Sequence, residues 1–492
     1  MKLRFVLSVF LVTFGIFLGG CKSEDEEVVE VVKVEKVVKD ITVTVSDLPN
    51  LSLDEKIDLY EIKVVEDRAE PSYDSSFFYK LSIICLSSSP VSLDLTELGI
   101  TTIESGVFRE NTVLQGIKLP ASVTTIESDA FYRCTSLQSV EIPDSVTTIE
   151  SDAFYCCTSL QSVAIPASVT TIEWSAFSGC RSLKSVEIPA SVTTIEPNAF
   201  SGCRSLKSVE IPASVITIEQ DTFSGCTSLQ SVAIPASVTT IGRGAFSGCT
   251  SLKSVAIPAS VTTIEQNAFK SCTSLQSVEI PASVTAIGGS AFESCTSLQN
   301  VKISASVTTI EQNAFKSCTS LQSVEIPASV TTIGGSAFES CISLQNVAIP
   351  ASVTTIEQNA FKSCTSLQSV EIPDSVTAIG SEAFSGCISL QSVEMHDSVI
   401  TIGQAAFSYT SLKSVAISAS VTTIEQDTFY GCMSLTSVYI PASVITIEKN
   451  AFKECTNLVR AVFEDTDGWS PQVSNIVETT KKLVLGYSFT KS

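Results

Sequence analysis

A unit of 23 residues governs this chain. In Ile257–Glu279 it reads IPASVTTIEQNAFKSCTSLQSVE, and the following residue begins it again. The phenylalanine of the unit recurs at 108, 131, 154, 177, 200, 223, 246, 269, 292, 315, 338, 361, 384, 407, 429 and 452. The leucine of its TSL triplet keeps the same beat, from Leu114 to Leu458. One step is 22 residues, because Phe407-Ser-Tyr-Thr lacks a residue that Phe384-Ser-Gly-Cys has. A period in this range marks a solenoid, in which each unit buries its apolar face only by stacking on the next.

One unit can be read as one coil. From Ile142 to Val163 the apolar set is Ile142, Val146, Ile149, Ala153, Phe154, Cys157, Leu160 and Val163, with Ser, Thr, Gln and Glu between. After Leu160, Val163 and Ile165 alternate with Ala164, which predicts a short strand. Proline follows it in most units and ends the strand, since it removes a ladder donor. The Thr-Thr pair is expected to stay extended. EQNAF, with Ala and Phe adjacent, reads as one helical turn.

The pattern L-x-x-V-x-I-P followed by V-x-x-I-x-x-x-A-F-x-x-C resembles the leucine-rich repeats of BspA-like bacterial surface proteins, the Treponema pallidum type. The resemblance spans about 100 to 463. It implies an α/β-type solenoid, predominantly β: a leucine-rich repeat arc of about 16 coils of 23 residues with a parallel concave sheet and little helix on the convex side. A small β-rich N-terminal region is added to it.

The flanks divide as follows. Lys2 and Arg4 precede the apolar run Phe5–Phe17, too short for a spanning helix and suited to a secretory signal over 1–20. Leu18-Gly19-Gly20-Cys21 resembles a bacterial lipobox, which implies cleavage before Cys21 and its lipidation. The alternative is an ordinary signal peptide with an incidental cysteine. Residues 21–41 form an acidic, valine-rich tether, read as a solvated spacer, although Lys22-Ser-Glu-Asp-Glu-Glu also resembles signals that send lipoproteins to the outer surface. Between Val28 and Val38, helix and strand remain open. Residues 42–95 alternate apolar and polar and are expected to cap the first coil. The solenoid occupies 96–463 and a polar cap 464–492.

Fourteen of the 17 cysteines share one repeat column, from Cys134 to Cys455. A column in one register does not converge on a metal, and parallel Cβ vectors disfavour disulfides between neighbouring coils. Buried, reduced, inert thiols are expected. The single histidine, His396, stands where most units have proline, with no visible triad or HExxH partner. The glutamate column Glu265, Glu311, Glu357 reads as a solvated face, and Gly288-Gly289 and Gly334-Gly335 as turns. No cofactor, metal or catalytic residue is expected.

A net charge of −22 argues against a nucleic-acid partner. Binding is expected on the outward strand positions: Lys184, Glu187, Lys207, Glu210, Gln276, Glu279, Gln322, Glu325, Gln368, Glu371 and Tyr439. A face so uniform suits an extended or repetitive ligand. The expected function is a non-enzymatic, adhesin-like binding protein, exported and lipid-anchored to the envelope, at the outer membrane and cell surface. The resemblance adds host extracellular matrix proteins or other bacteria as partners. The alternative is a structural spacer or envelope scaffold without a ligand of its own.

Overall fold

The computed structural model describes residues 11–12, 36–44, 59–65, 89–470 and 476–491. The signal-peptide reading of 1–20, apart from Leu11–Val12, and the lipidation of Cys21 lie outside these residues, as do parts of the tether and of the N-terminal cap. No described helix is long and apolar enough to cross a membrane. The chain forms two compact units, Met1–Val192 and Thr193–Ser492. Each is a predominantly β solenoid.

A coil of the second unit shows why the repeat folds as it does. In the strand Ser277–Glu279 only Val278 points inward, so three residues suffice for one exposed–buried–exposed step. It pairs in parallel with Asn300–Lys302, at a register of one repeat. Pro281 then opens a turn in which Val284 N donates to its carbonyl at 3.1 Å. The two-residue strand Ala286–Ile287 follows and pairs in parallel with Thr309–Ile310. Within the coil Val284, Ile287, Ala291, Phe292, Cys295, Leu298, Val301 and Ile303 are all buried. Each large aliphatic or aromatic side chain so buried stabilises by about 1.5–3 kcal/mol. The phenylalanines stack face to face through the core, 5.5 Å apart from Phe292 to Phe315 and from Phe315 to Phe338.

The EQNAF segment differs from the helical turn read in the sequence. Asn267 and Ser271 have φ of 61° and 59°, and a right-handed helix admits no such residue. The chain instead makes successive tight turns: Ala268 N to Glu265 O, Lys270 N to Asn267 O, Cys272 N to Phe269 O and Leu275 N to Cys272 O. Every second N–H of this segment points toward the next coil. Asn267, Phe269 and Ser271 donate to the carbonyls of Gly289, Ala291 and Glu293 at 2.9, 2.8 and 2.7 Å. The turn side of the coil thereby becomes a third hydrogen-bonded ladder beside the two strand ladders.

In the first unit the parallel sheet begins before the regular repeats. Lys36–Thr44 pairs with Leu59–Val65, which pairs with Val91–Asp94, then Leu114–Lys118 and Ser139–Glu141. The second unit ends differently. The helix Ile476–Val484 packs on the last strand, Arg460–Phe463, and Thr480 Oγ1 accepts Ala461 N at 3.2 Å. Phe489–Lys491 runs antiparallel to Thr446–Ile447 and to Trp469–Ser470, which stops the parallel ladder. Val484 and Gly486 supply the carbonyls that Glu454 N and Asn450 N would otherwise seek in a further coil.

Candidate binding face

The eleven strand positions singled out from the sequence are all exposed. Lys184 and Glu187 lie on the first unit, and the other nine on the second. In the second unit the backbone sets one column directly. Gln299 N donates to Gln276 O, Gln322 N to Gln299 O, Gln345 N to Gln322 O, Gln368 N to Gln345 O and Gln391 N to Gln368 O, at 2.9 to 3.5 Å. Gln276, Gln322 and Gln368 therefore belong to one unbroken run of carboxamides, flanked by the exposed Ser277, Asn300, Ser323, Asn346 and Ser369.

The outer column is less uniform than its glutamates suggest. Lys302 stands in register between Glu279 and Glu325, and its ammonium pairs with Glu279. Both side chains are well exposed, so the pair adds little stability but cancels a charge on the face. Lys302 was legible in the sequence as a basic residue in a column of Glu and Ala. On the first unit Lys184 Nζ donates to Gln161 Oε1 at 3.2 Å. Tyr439 is 41 % exposed, in register with Ala416 and Val462.

A groove of about 390 Å³ opens on the strand face of the first unit, lined by residues that sequence reasoning did not mark. Gly116 makes room there, because a Cβ would stand 3.1 Å from Ser92 Oγ and 3.4 Å from Ser139 Oγ. Its outer column reads Lys63, Asp94, Lys118, Glu141, alternating in sign. Burial works to raise the Asp94 carboxyl. Hydrogen bonds from Thr96 Oγ1 at 2.6 Å and Thr96 N at 3.1 Å, with Lys118 and Lys63 nearby, hold it below the usual carboxylate range.

No disulfide joins the 15 described cysteines. Cys272, Cys295 and Cys318 donate their thiols to the carbonyls of Phe246, Phe269 and Phe292, one coil earlier, at 3.1 to 3.2 Å. Burial pushes the Cys295 thiol up to about 12, which leaves it protonated and a poor nucleophile. In the 22-residue coil Thr410 takes this place, its hydroxyl donating to Phe407 O at 2.9 Å. In the first coil Asn111 Oδ1 accepts Val113 N and Leu114 N instead.

The glutamate column is exposed, as expected of a solvated face, and also bonds between coils. Glu265 Oε2 accepts Arg243 N at 2.9 Å and Glu311 Oε2 accepts Gly289 N at 2.8 Å, so these carboxylates join coils rather than face water alone. His396 Nδ1 lies 2.9 Å from Asp374 Oδ1, an ion pair when the imidazole is protonated.

Residues 101–230, 216–345 and 331–459 match the family described as BspA type leucine rich repeat region. Among solved structures, the chain is similar to a leucine-rich repeat protein from Bacteroides ovatus, at 28% identity and TM-score 0.54 over 76% of this chain and 86% of that one. It is similar to a leucine rich cell surface protein from Faecalibacterium prausnitzii, at 30% identity and TM-score 0.40 over 72% and 89%. The leucine rich repeat protein of T. pallidum matches at 26% identity and TM-score 0.28 over 42% and 78%. No curated protein matches.

Proposed function

The chain belongs to the BspA-type leucine-rich repeat family, and from that premise we propose a non-enzymatic, adhesin-like binding protein of the bacterial cell surface. The observation that carries this reading is the run of exposed carboxamides and hydroxyls on the strand face, held in register by the backbone. Such a face offers many similar weak contacts, and an extended protein ligand gains avidity by touching several. Its partners are proteins of the host extracellular matrix or of other bacteria. Tethering is through a lipid on Cys21, at the outer membrane.

The test is solid-phase binding of the chain to immobilised matrix proteins and to whole bacteria. Selective binding that falls about tenfold or more in a variant carrying Gln276→Ala, Gln322→Ala, Gln368→Ala and Tyr439→Ala supports the reading. A chain that binds nothing selectively, even at high density on beads, is a spacer. Binding that survives the four changes moves the site off this face.

A further inference from the structure

We propose that the second unit contains a hinge at its 22-residue coil, about which the segment from Ser414 to the C-terminal cap opens as one body. The proposal starts from the strand ladders. Ser392–Glu394 pairs backward with Ser369–Glu371, and Ser414–Ala416 pairs forward with Ser437–Ile440, but the two do not pair with each other. The short strands stop at the same place. Thr401–Ile402 pairs with Ala378–Ile379 and Thr423–Ile424 with Thr446–Ile447, with no pairing across the gap. In the second unit the short-strand ladder is interrupted at one other place among the described residues, between Ile195 and Thr217. The long-strand ladder also lapses between Ala233 and Ser254, yet there the short strands run through unbroken.

The turn side stays closed at this boundary. Ala405 N, Phe407 N and Tyr409 N donate to the carbonyls of Gln426, Thr428 and Tyr430 at 3.0, 2.9 and 2.7 Å. Phe407 stacks on Phe429 at 5.7 Å. On the long-strand side Lys413 N still donates to Gln391 O at 3.2 Å, so the backbone bonds that cross this boundary lie on the turn side and at that single strand position, as in a book whose spine runs along the turns. The missing residue falls at this boundary, between Thr410 and Ser411, just past the spine, and shortens the approach to the next strand.

The open side carries a latch made of side chains. Asp397 Oδ1 accepts Ala419 N at 3.1 Å, Ser420 Oγ donates to Asp397 O at 2.6 Å, and Ser418 Oγ donates to Val399 O at 2.7 Å. Ser418 and His396 both occupy the position where most coils have proline. Ser398 Oγ, whose counterparts Ser375 and Ser352 donate to valine carbonyls one coil earlier, is buried without a partner. Val393 is half-buried where the equivalent Val370 is buried.

Hydrogen exchange on the full chain tests the proposal, because local opening sets the exchange of the amides it frees. Amides of Ser414–Ala416 and Thr423–Ile424 should exchange about tenfold or more faster than those of Ser369–Glu371 and Thr355–Ile356. Asp397→Ala should speed the first group further and leave the second unchanged. A variant with threonine inserted between Thr410 and Ser411 and Thr410→Cys should bring the two groups together. Equal exchange in the unaltered chain overturns the hinge. So does an Asp397→Ala effect that spreads evenly to the earlier coils, and that variant decides the matter if the insertion fails to fold.

Discussion

The thiol of Cys295 donates to the backbone carbonyl of Phe269, 3.2 Å away across one coil boundary. The same carbonyl already accepts Cys272 N within its own turn. One column of the repeat therefore bonds each coil to its predecessor with a side chain that is small, apolar in bulk and weakly polar at its tip. Cysteine suits the position for that reason, and no redox chemistry is needed to account for it.

Cys295→Ala removes the donor and leaves a small void, and should destabilise the second unit by about 1–3 kcal/mol. Cys295→Ser keeps a donor beside the same carbonyl and should cost less. Urea denaturation of both variants beside the parent chain measures the difference; an alanine variant as stable as the parent would remove the column's structural role.

Burial raises the thiols of Cys226, Cys295, Cys341 and Cys387 from an ordinary value of 9.0 to about 12. Above the ordinary value the unfolded chain releases protons that the folded chain retains, so stability falls as pH rises from about 9 to about 12. It is fully present below that window. Denaturation midpoints at pH 8 and pH 10.5 should show the loss, and substitution of these four residues by serine should reduce it, the remainder coming from the other buried thiols of the column, such as Cys249, Cys272, Cys318 and Cys364. The same burial should keep the thiols unlabelled by an alkylating reagent at pH 8 until the chain unfolds.

Asn267 holds φ at 61°, a conformation that asparagine tolerates and glycine adopts freely. Asn267→Gly should leave stability within about 0.5 kcal/mol, whereas Asn267→Val should cost about 1–3 kcal/mol through backbone strain. Thermal melts of the pair separate the two; equal losses would mean that the side chain, not the backbone, matters there.

Gly288 and Gly289 are adjacent but not equivalent. A Cβ at Gly288 would stand 2.6 Å from Ile264 O, while one at Gly289 would meet Gln312 O at 3.4 Å. Gly288→Ala should therefore destabilise by about 1–3 kcal/mol and Gly289→Ala by less. The reverse order in a denaturant titration would contradict the close approach of these coils.

Much of the fold was legible because repetition multiplies each signal. Phe269, Leu275 and Val278 recur at one interval, and Pro281 marks where a strand ends. The turn side was harder. Asn267 and Ser271 sit in columns that elsewhere hold Asp, Ser and Gly, the residues that tolerate left-handed backbone, yet Glu382, Ala405 and Arg133 occupy the same columns and blur the pattern. The adjacent Ala268-Phe269 pair then reads as helix. Glu265 and Glu311 are exposed as the sequence suggested, but the backbone N–H groups of another coil that they accept from are not revealed by any side-chain pattern. The broken ladders near Thr410 left a trace in the 22-residue step, but a missing residue does not say which of three ladders yields.

Surface exposure is the most direct test of the account. Intact cells carrying the full chain are treated with a protease, and the repeats are followed by immunoblot beside an internal control. Loss of the repeats while the control survives is the predicted result and places the strand faces where foreign proteins can reach them. Full protection until the cells are lysed would contradict a surface binding protein and leave the chain inside the envelope as a scaffold.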